Sequence, residues 1–129
     1  MVEAMIVATG IDIVDIARIE GVFARRGSRF RDRVFTAAEI AYCESRGSKF
    51  ASYAARFAAK EAMMKALGTG WSNGIAWRDV EIFRDEKGAP SIKLSGRALE
   101  YFNRLGARKV HISLTHSRDL AMAQVVLES

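Results

Sequence analysis

Residues 48–67, SKFASYAARFAAKEAMMKAL, constrain this chain more than any other stretch. They are rich in helix formers, and Ser48 is a natural opening residue. Phe50, Ala54, Phe57, Glu61 and Met64 recur at helical spacing, and Gly68-Thr69-Gly70 supplies a terminator. The spacing predicts the longest helix of the protein over 48–67. One residue on its apolar stripe is out of place. Glu61 lies between Phe57 and Met64, where a solvated carboxylate does not belong. Either the stripe is not fully covered, or Glu61 has a partner strong enough to hold it there.

The rest of the chain reads as elements packed around that helix. Residues 5–14 read as a strand, apolar with Ile and Val and interrupted by Gly10. Asp15 can cap a helix over 16–26, with Ile16, Ile19, Val22 and Phe23 on one face and Gly27-Ser28 ending it. Thr36-Ala-Ala-Glu39 is a capping box that opens a short helix to about Ser45. After a loop over 71–76, strands are expected at 80–83 and 91–94, around turns at 85–88 and at Pro90. Ser95 caps a helix over 96–105, and 110–115 and 120–127 are strands around Ser117-Arg118-Asp119. Strands and helices neither alternate strictly nor separate into blocks, so the class is α+β. At 129 residues the chain is one small domain, an antiparallel sheet packed against one long helix and shorter ones.

The formal charge is +5, and an excess of this sign suits an anionic partner: nucleic acid, a membrane surface, a phosphorylated ligand or an acidic protein. Arg18, Arg25, Arg26, Arg29, Arg31 and Arg33 are grouped early in the chain. Aromatic residues do not interleave with them as in a base-stacking platform, which argues against bulk nucleic-acid binding. No apolar run approaches the ~20 residues of a membrane span. The start of the chain lacks the basic region and cleavage site of a secretory signal. Cys43 is the single cysteine, so no intrachain disulfide can form; a reducing compartment, by default the cytoplasm, is expected.

Asp12 repeats the puzzle of Glu61, since it lies inside the apolar strand Ile11-Asp12-Ile13-Val14. An unpaired carboxylate there is heavily penalised. One divalent cation would explain both residues. No cysteine or histidine cluster has zinc spacing, so oxygen-ligated Mg²⁺ is the candidate, and a site of two carboxylates implies a phosphorylated substrate. The plainer alternative has Asp12 capping local backbone and Glu61 paired with Lys65 on the helix surface. Lys65 shares the face of Glu61 and could neutralise a phosphate, whereas Lys60 points about a quarter-turn away. Gly68-Thr69-Gly70 could offer backbone N–H groups to a phosphate or simply end the helix. His116 lies where a strand meets its turn, as a ligand contact or a structural residue. No Ser-His-Asp or Cys-His set can be assembled, and nothing in the sequence activates Cys43.

Three stretches together resemble one family. Gly10-Ile-Asp12-Ile-Val14, the run from Arg56 through Lys60-Glu61-Ala62 and Lys65 to Gly68-Thr-Gly70, and Ser113-Leu-Thr-His116-Ser are similar to holo-(acyl-carrier-protein) synthases, the small bacterial phosphopantetheinyl transferases. Met1 to Ala4 precede the family's usual start near Met5 and are expected to be a flexible extension. The resemblance implies transfer of 4'-phosphopantetheine from coenzyme A to a serine of apo acyl carrier protein, releasing adenosine 3',5'-bisphosphate, in fatty acid biosynthesis. It further implies that Asp12 and Glu61 hold Mg²⁺ and that Lys65 sits beside the phosphates. Arg56, Gly68 and His116 would contact coenzyme A, and Arg18 and Arg25 would dock the acidic carrier protein. Asp12, Glu61 and Lys65 are the candidate catalytic residues; a carboxylate, Lys65 or a water on the metal could take the serine proton. Family members of this length are trimers with clefts between subunits. The rival readings are a non-catalytic basic module for an acidic protein or RNA, and another Mg²⁺-dependent nucleotide phosphotransferase. The latter would need a phosphate loop such as GxxxxGK[ST], which the sequence lacks.

Overall fold

The computed structural model describes residues 3–70 and 74–129. The chain runs β1 (Ile6–Asp15), α1 (Ile16–Arg26), α2 (Ser28–Val34), α3 (Ala37–Glu44) and α4 (Lys49–Leu67). A 3-10 turn (Trp77–Asp79) then leads into β2 (Val80–Arg84), β3 (Pro90–Leu94), α5 (Gly96–Arg104), β4 (Lys109–His116) and β5 (Leu120–Glu128). The class is α+β, with β1, β5 and β4 forming an antiparallel sheet in that order and β2–β3 a separate hairpin.

Helix α4 is the axis of the fold and packs on β1 and β5. Small side chains make this close packing possible: Ala54, Ala58 and Ala62 succeed one another every four residues and are fully buried. Opposite them, β1 turns Gly10, Asp12 and Val14 to the helix by the two-residue alternation of a strand. A Cβ on Gly10 would meet the Ala62 carbonyl oxygen, so only glycine lets the strand lie this near the helix. Along the other side of α4, Phe23, Phe35 and Tyr53 form a cluster, with ring centroids 4.6 Å (Phe23–Tyr53) and 4.9 Å (Phe35–Tyr53) apart. Such pairs add roughly 0.5–1.5 kcal/mol each beyond their burial.

Several elements depart from the sequence expectation. Gly27 breaks the axis of α1 with φ of 58°, but Ser28 opens another helix instead of a loop. Phe30 is the reason: it packs edge-on against Phe23 at 5.6 Å, and α2 is the conformation that delivers it. Asp15, Ser48 and Ser95 occupy the residues before their helices but make no side-chain cap, whereas Thr36 and Glu39 form the capping box in full. Pro90 is the first residue of β3, opposite Arg84, and not part of the turn. Of the loop over 71–76, Trp71, Ser72 and Asn73 lie outside the described residues, as do Met1 and Val2 of the proposed N-terminal extension. Glu3 and Ala4 are exposed and have no regular structure. Met5 is tied to the other end of the chain, its carbonyl accepting from Ser129 N–H at 2.9 Å. No described helix is long and apolar enough to cross a membrane.

Candidate active site

The close packing at Gly10 sets one face of β1 against one face of α4, and Asp12 and Glu61 meet there. Asp12 is 10 % exposed, and its Oδ1 accepts from the Lys65 ammonium at 2.9 Å. The same ammonium donates to the Ile11 carbonyl at 3.0 Å. Lys65 thus reaches across to β1, and its ion pair is with Asp12, not the surface pair with Glu61 that helical spacing offered. The other oxygen, Asp12 Oδ2, is buried without a hydrogen-bond partner. Burial first, and the charge of Asp12 second, push the Glu61 carboxyl above its ordinary range, while Lys65 and Arg18 oppose the shift. With both carboxylates ionised nothing joins them; a proton or a cation between them would satisfy both.

The arrangement fits a divalent metal. Two carboxylates face one point, one of them carries an orphaned buried oxygen, and the neighbouring pocket is lined by Glu61, Met64, Lys65, Gly70 and Trp77. No group of three or more His, Cys, Asp or Glu is gathered among the described residues. Any cation held here would therefore keep water or phosphate oxygens in its shell, the habit of Mg²⁺.

Arg56 is five residues before Glu61, so it emerges about 140° round the helix, on the side of α3. It is 3 % exposed, lies 4.0 Å above the Tyr42 ring, and its Nε has no partner. Arg46 and Arg84 approach the same ring at 5.5 Å each, and Arg84 Nε donates to the Tyr42 hydroxyl at 2.8 Å. Burial would raise the Tyr42 phenol, but the Arg84 hydrogen bond and the three guanidinium charges prevail and hold it below its ordinary value. His116, at the exposed end of β4, lines this pocket beside Arg46, Arg56 and Arg84. Arg56 and His116 are therefore brought together, in a pocket distinct from the one that Glu61 and Lys65 line.

Gly68 is the left-handed cap of α4 with φ of 79°; its N–H donates to Lys65 O, and the N–H of Thr69 to Met64 O. Both donors serve the helix end, leaving Gly70 as the member of the Gly-Thr-Gly run that lines the pocket. Arg18 and Arg25 are exposed on α1 two turns apart, hence on one face. Arg25 opens on a pocket with Arg26, Arg29 and Arg33, floored by Phe57 and Trp77; Arg18 lines a different hollow, with Asp119 and Arg118.

Lys60 is neither a site cation nor a solvated residue. It is fully buried, paired with Glu39 at 2.9 Å, and donates to the carbonyls of Val80 and Trp77. Burial pulls its ammonium below the ordinary range while Glu39 pushes it back up. Glu39 in turn accepts from the Thr36 and Ile82 N–H groups, each at 2.8 Å. The capping-box signal was correct, and it concealed the second duty of Glu39. Cys43 is buried and its thiol is pushed up to about 12 by burial, so it stays protonated and inert. Sequence reasoning missed Tyr42, Arg84 and Trp77, for which only an aromatic or basic identity was visible.

The fold is a small α+β domain in which a carboxylate pair beside a lysine lies apart from a pocket of arginines. The chain belongs to the 4'-phosphopantetheinyl transferase superfamily, whose model matches residues 8–125. It is 46 % identical over 125 residues to the holo-[acyl-carrier-protein] synthase of Solibacter usitatus, a match covering 97 % of this chain and 100 % of that one. Among solved structures, the holo-[acyl-carrier-protein] synthase of Neisseria meningitidis superposes with a TM-score of 0.88 at 32 % identity, over 97 % of this chain and 100 % of that one. The Helicobacter pylori synthase in complex with coenzyme A gives 0.81 at 35 % identity, over 92 % and 98 % of the two chains.

Proposed function

We propose that this chain is a holo-acyl-carrier-protein synthase, moving 4'-phosphopantetheine from coenzyme A to a serine of apo acyl carrier protein. The observation that carries the reading is the buried, partnerless Oδ2 of Asp12 set against Glu61, with Lys65 beside them. Asp12 and Glu61 would hold Mg²⁺. When bound, the ion neutralises charge on the coenzyme A pyrophosphate. Lys65, exposed at its tip, can swing from Asp12 to a phosphate oxygen, and Gly70 leaves room for the phosphates against the pocket wall. The serine oxygen forms a bond to the pantetheine-side phosphorus as the bond to the bridging oxygen breaks. Adenosine 3',5'-bisphosphate departs with the bridging oxygen, and the serine proton passes to a base at this site, for which a carboxylate, Lys65 or a water could serve.

Arg56 and His116, with Arg46 and Arg84, supply a cationic pocket for the nucleotide end of coenzyme A. Gly68 contributes by ending α4 so that Gly70 reaches the pocket. Because this cationic pocket and the carboxylate pair open on different sides of α4, one coenzyme A would use the two from adjacent copies. A homotrimer with sites between subunits meets that need. The outer face of the sheet carries Ile11 and Ile13, 56 % and 52 % exposed, as an apolar surface for such an assembly. Arg18 and Arg25 would receive the acidic carrier protein. A lone, buried cysteine is in keeping with a reducing cytoplasm.

Intact-mass measurement on apo carrier protein, coenzyme A and Mg²⁺ tests this directly. Wild type should add one phosphopantetheine mass, EDTA should abolish the gain, and Asp12→Ala and Glu61→Ala should show none. Folded wild type that leaves every tested carrier unmodified would sink the reading.

A further inference from the structure

Trp77 stands between two pockets. Its half-buried indole lines the pocket of Glu61, Lys65 and Gly70, of about 220 Å³, and also the pocket of Arg25, Arg29 and Arg33, of about 500 Å³. The residue is held from both ends. Its ring stacks on Phe57 with centroids 5.1 Å apart and planes 23° from parallel, and its carbonyl accepts from the buried Lys60 ammonium at 3.2 Å. Phe57 and Lys60 both belong to α4, one turn before Glu61 and next to it, so the indole is fixed relative to the carboxylate pair.

We propose that Trp77 is a specificity-determining residue shared by the two substrates: one part of the indole borders the pantetheine arm of coenzyme A, and another borders the carrier protein at the arginine pocket. The inference rests on the transferase reading above. Three features of the structure favour it. Both pockets set cationic side chains beside an aromatic or apolar floor: the smaller, which also carries Glu61, suits the uncharged arm next to the coenzyme A phosphates, and the larger, with four arginines, suits an acidic protein surface. Among the side chains lining these two pockets, Trp77 alone lines both. A rigid wall between donor and acceptor also fixes the approach of the serine to the phosphorus, and misplacement by about 1 Å can cost on the order of 100-fold in rate.

Two measurements test the proposal. In Trp71→Phe protein, Trp77 is the only tryptophan, so its emission reports on its own surroundings. Coenzyme A with Mg²⁺ and apo carrier protein, each added without the other, should both change that emission saturably. In transfer kinetics on otherwise wild-type protein, Trp77→Ala should raise KM for both substrates about tenfold, a shift of roughly 1.4 kcal/mol in each. Trp77→Phe should recover most of this loss, because a flat ring remains on Phe57. By contrast, Lys65→Ala should raise KM for coenzyme A alone, and Arg33→Ala for the carrier alone. Emission that responds to only one substrate or to neither, or a Trp77→Phe enzyme with one KM unchanged and the other raised, overturns the shared wall while leaving the transferase reading intact. Unchanged KM values for both substrates in Trp77→Ala would show that neither substrate is bordered by the indole and overturn it too. A wild type without transfer sinks both readings together.

Discussion

Lys60 and Glu61 are consecutive residues of one helix, and each meets an opposite charge or a like one on a neighbouring element. Lys60 is fully buried against Glu39, and the pair has a complete set of partners in Thr36, Ile82, Val80 and Trp77. Glu61 is only partly covered, faces the like charge of Asp12, and leaves Asp12 Oδ2 without a partner. A satisfied ion pair ties α3, α4 and β2 together and can do nothing else. An unsatisfied carboxylate pair costs stability and is kept only where something else binds. The contrast between satisfied and unsatisfied charge, and not charge itself, marks the site.

The largest test of the contrast is on activity. Glu61→Gln should reduce transfer at least about 100-fold, a loss typical of removing one electrostatic contributor to a transition state. The same substitution should raise the melting temperature of the metal-free protein, because it removes the like charge beside Asp12. A variant that is both inactive and less stable would assign Glu61 to the scaffold and erase the distinction.

On the structural side, Lys60→Met should cost about 3–5 kcal/mol in chemical denaturation, since it leaves the Glu39 charge buried alone. Adding Glu39→Gln should recover part of that loss, because it removes the buried unpaired charge, although the single amide oxygen can keep only one of the bonds from the Thr36 and Ile82 N–H groups. Additive losses would show that the two side chains do not act as a unit. Gly10→Ala probes the seam between the halves. The new Cβ would collide with the Ala62 carbonyl and force β1 from α4, at about 1–3 kcal/mol, and should lower activity further by separating Asp12 from Glu61.

The smallest effect is on the pH dependence of stability. In the fold Glu61 holds its proton more tightly than in the unfolded chain, whose glutamate value is near 4.5. Between those two values the folded state binds more protons, so metal-free stability should fall as pH rises from the unfolded value through the folded one. Thermal melts across this range should show the decline in wild type and its disappearance in Glu61→Gln. Added Mg²⁺, which favours the ionised pair, should flatten or reverse it.

Much of this was legible in the sequence because it is set locally. Helical spacing and the Gly68 terminator fixed the extent of α4, and the capping box located α3 within a residue. Asp12 and Glu61 stood out because an acid on an apolar face violates a one-dimensional pattern. Helix α2 was not legible, since Gly27 looks like a terminator until Phe30 finds Phe23 and Phe57 across the fold. Lys60 was equally opaque. Its neighbours Ala59 and Glu61 say nothing of Glu39, 21 positions earlier, and burial of a lysine is decided by the partner that tertiary packing brings.

The sequence alone therefore determined most of the elements, α2 excepted, together with the α+β class and the two carboxylates that do not belong where they are. Only the tertiary structure decided that they face each other, that Lys65 crosses to Asp12, and that Trp77 joins two pockets. The physical reason is range. Propensity, capping and periodicity act over a few residues, whereas the contacts of Asp12 with α4 span about 50 residues of chain and depend on one glycine that lets strand and helix touch.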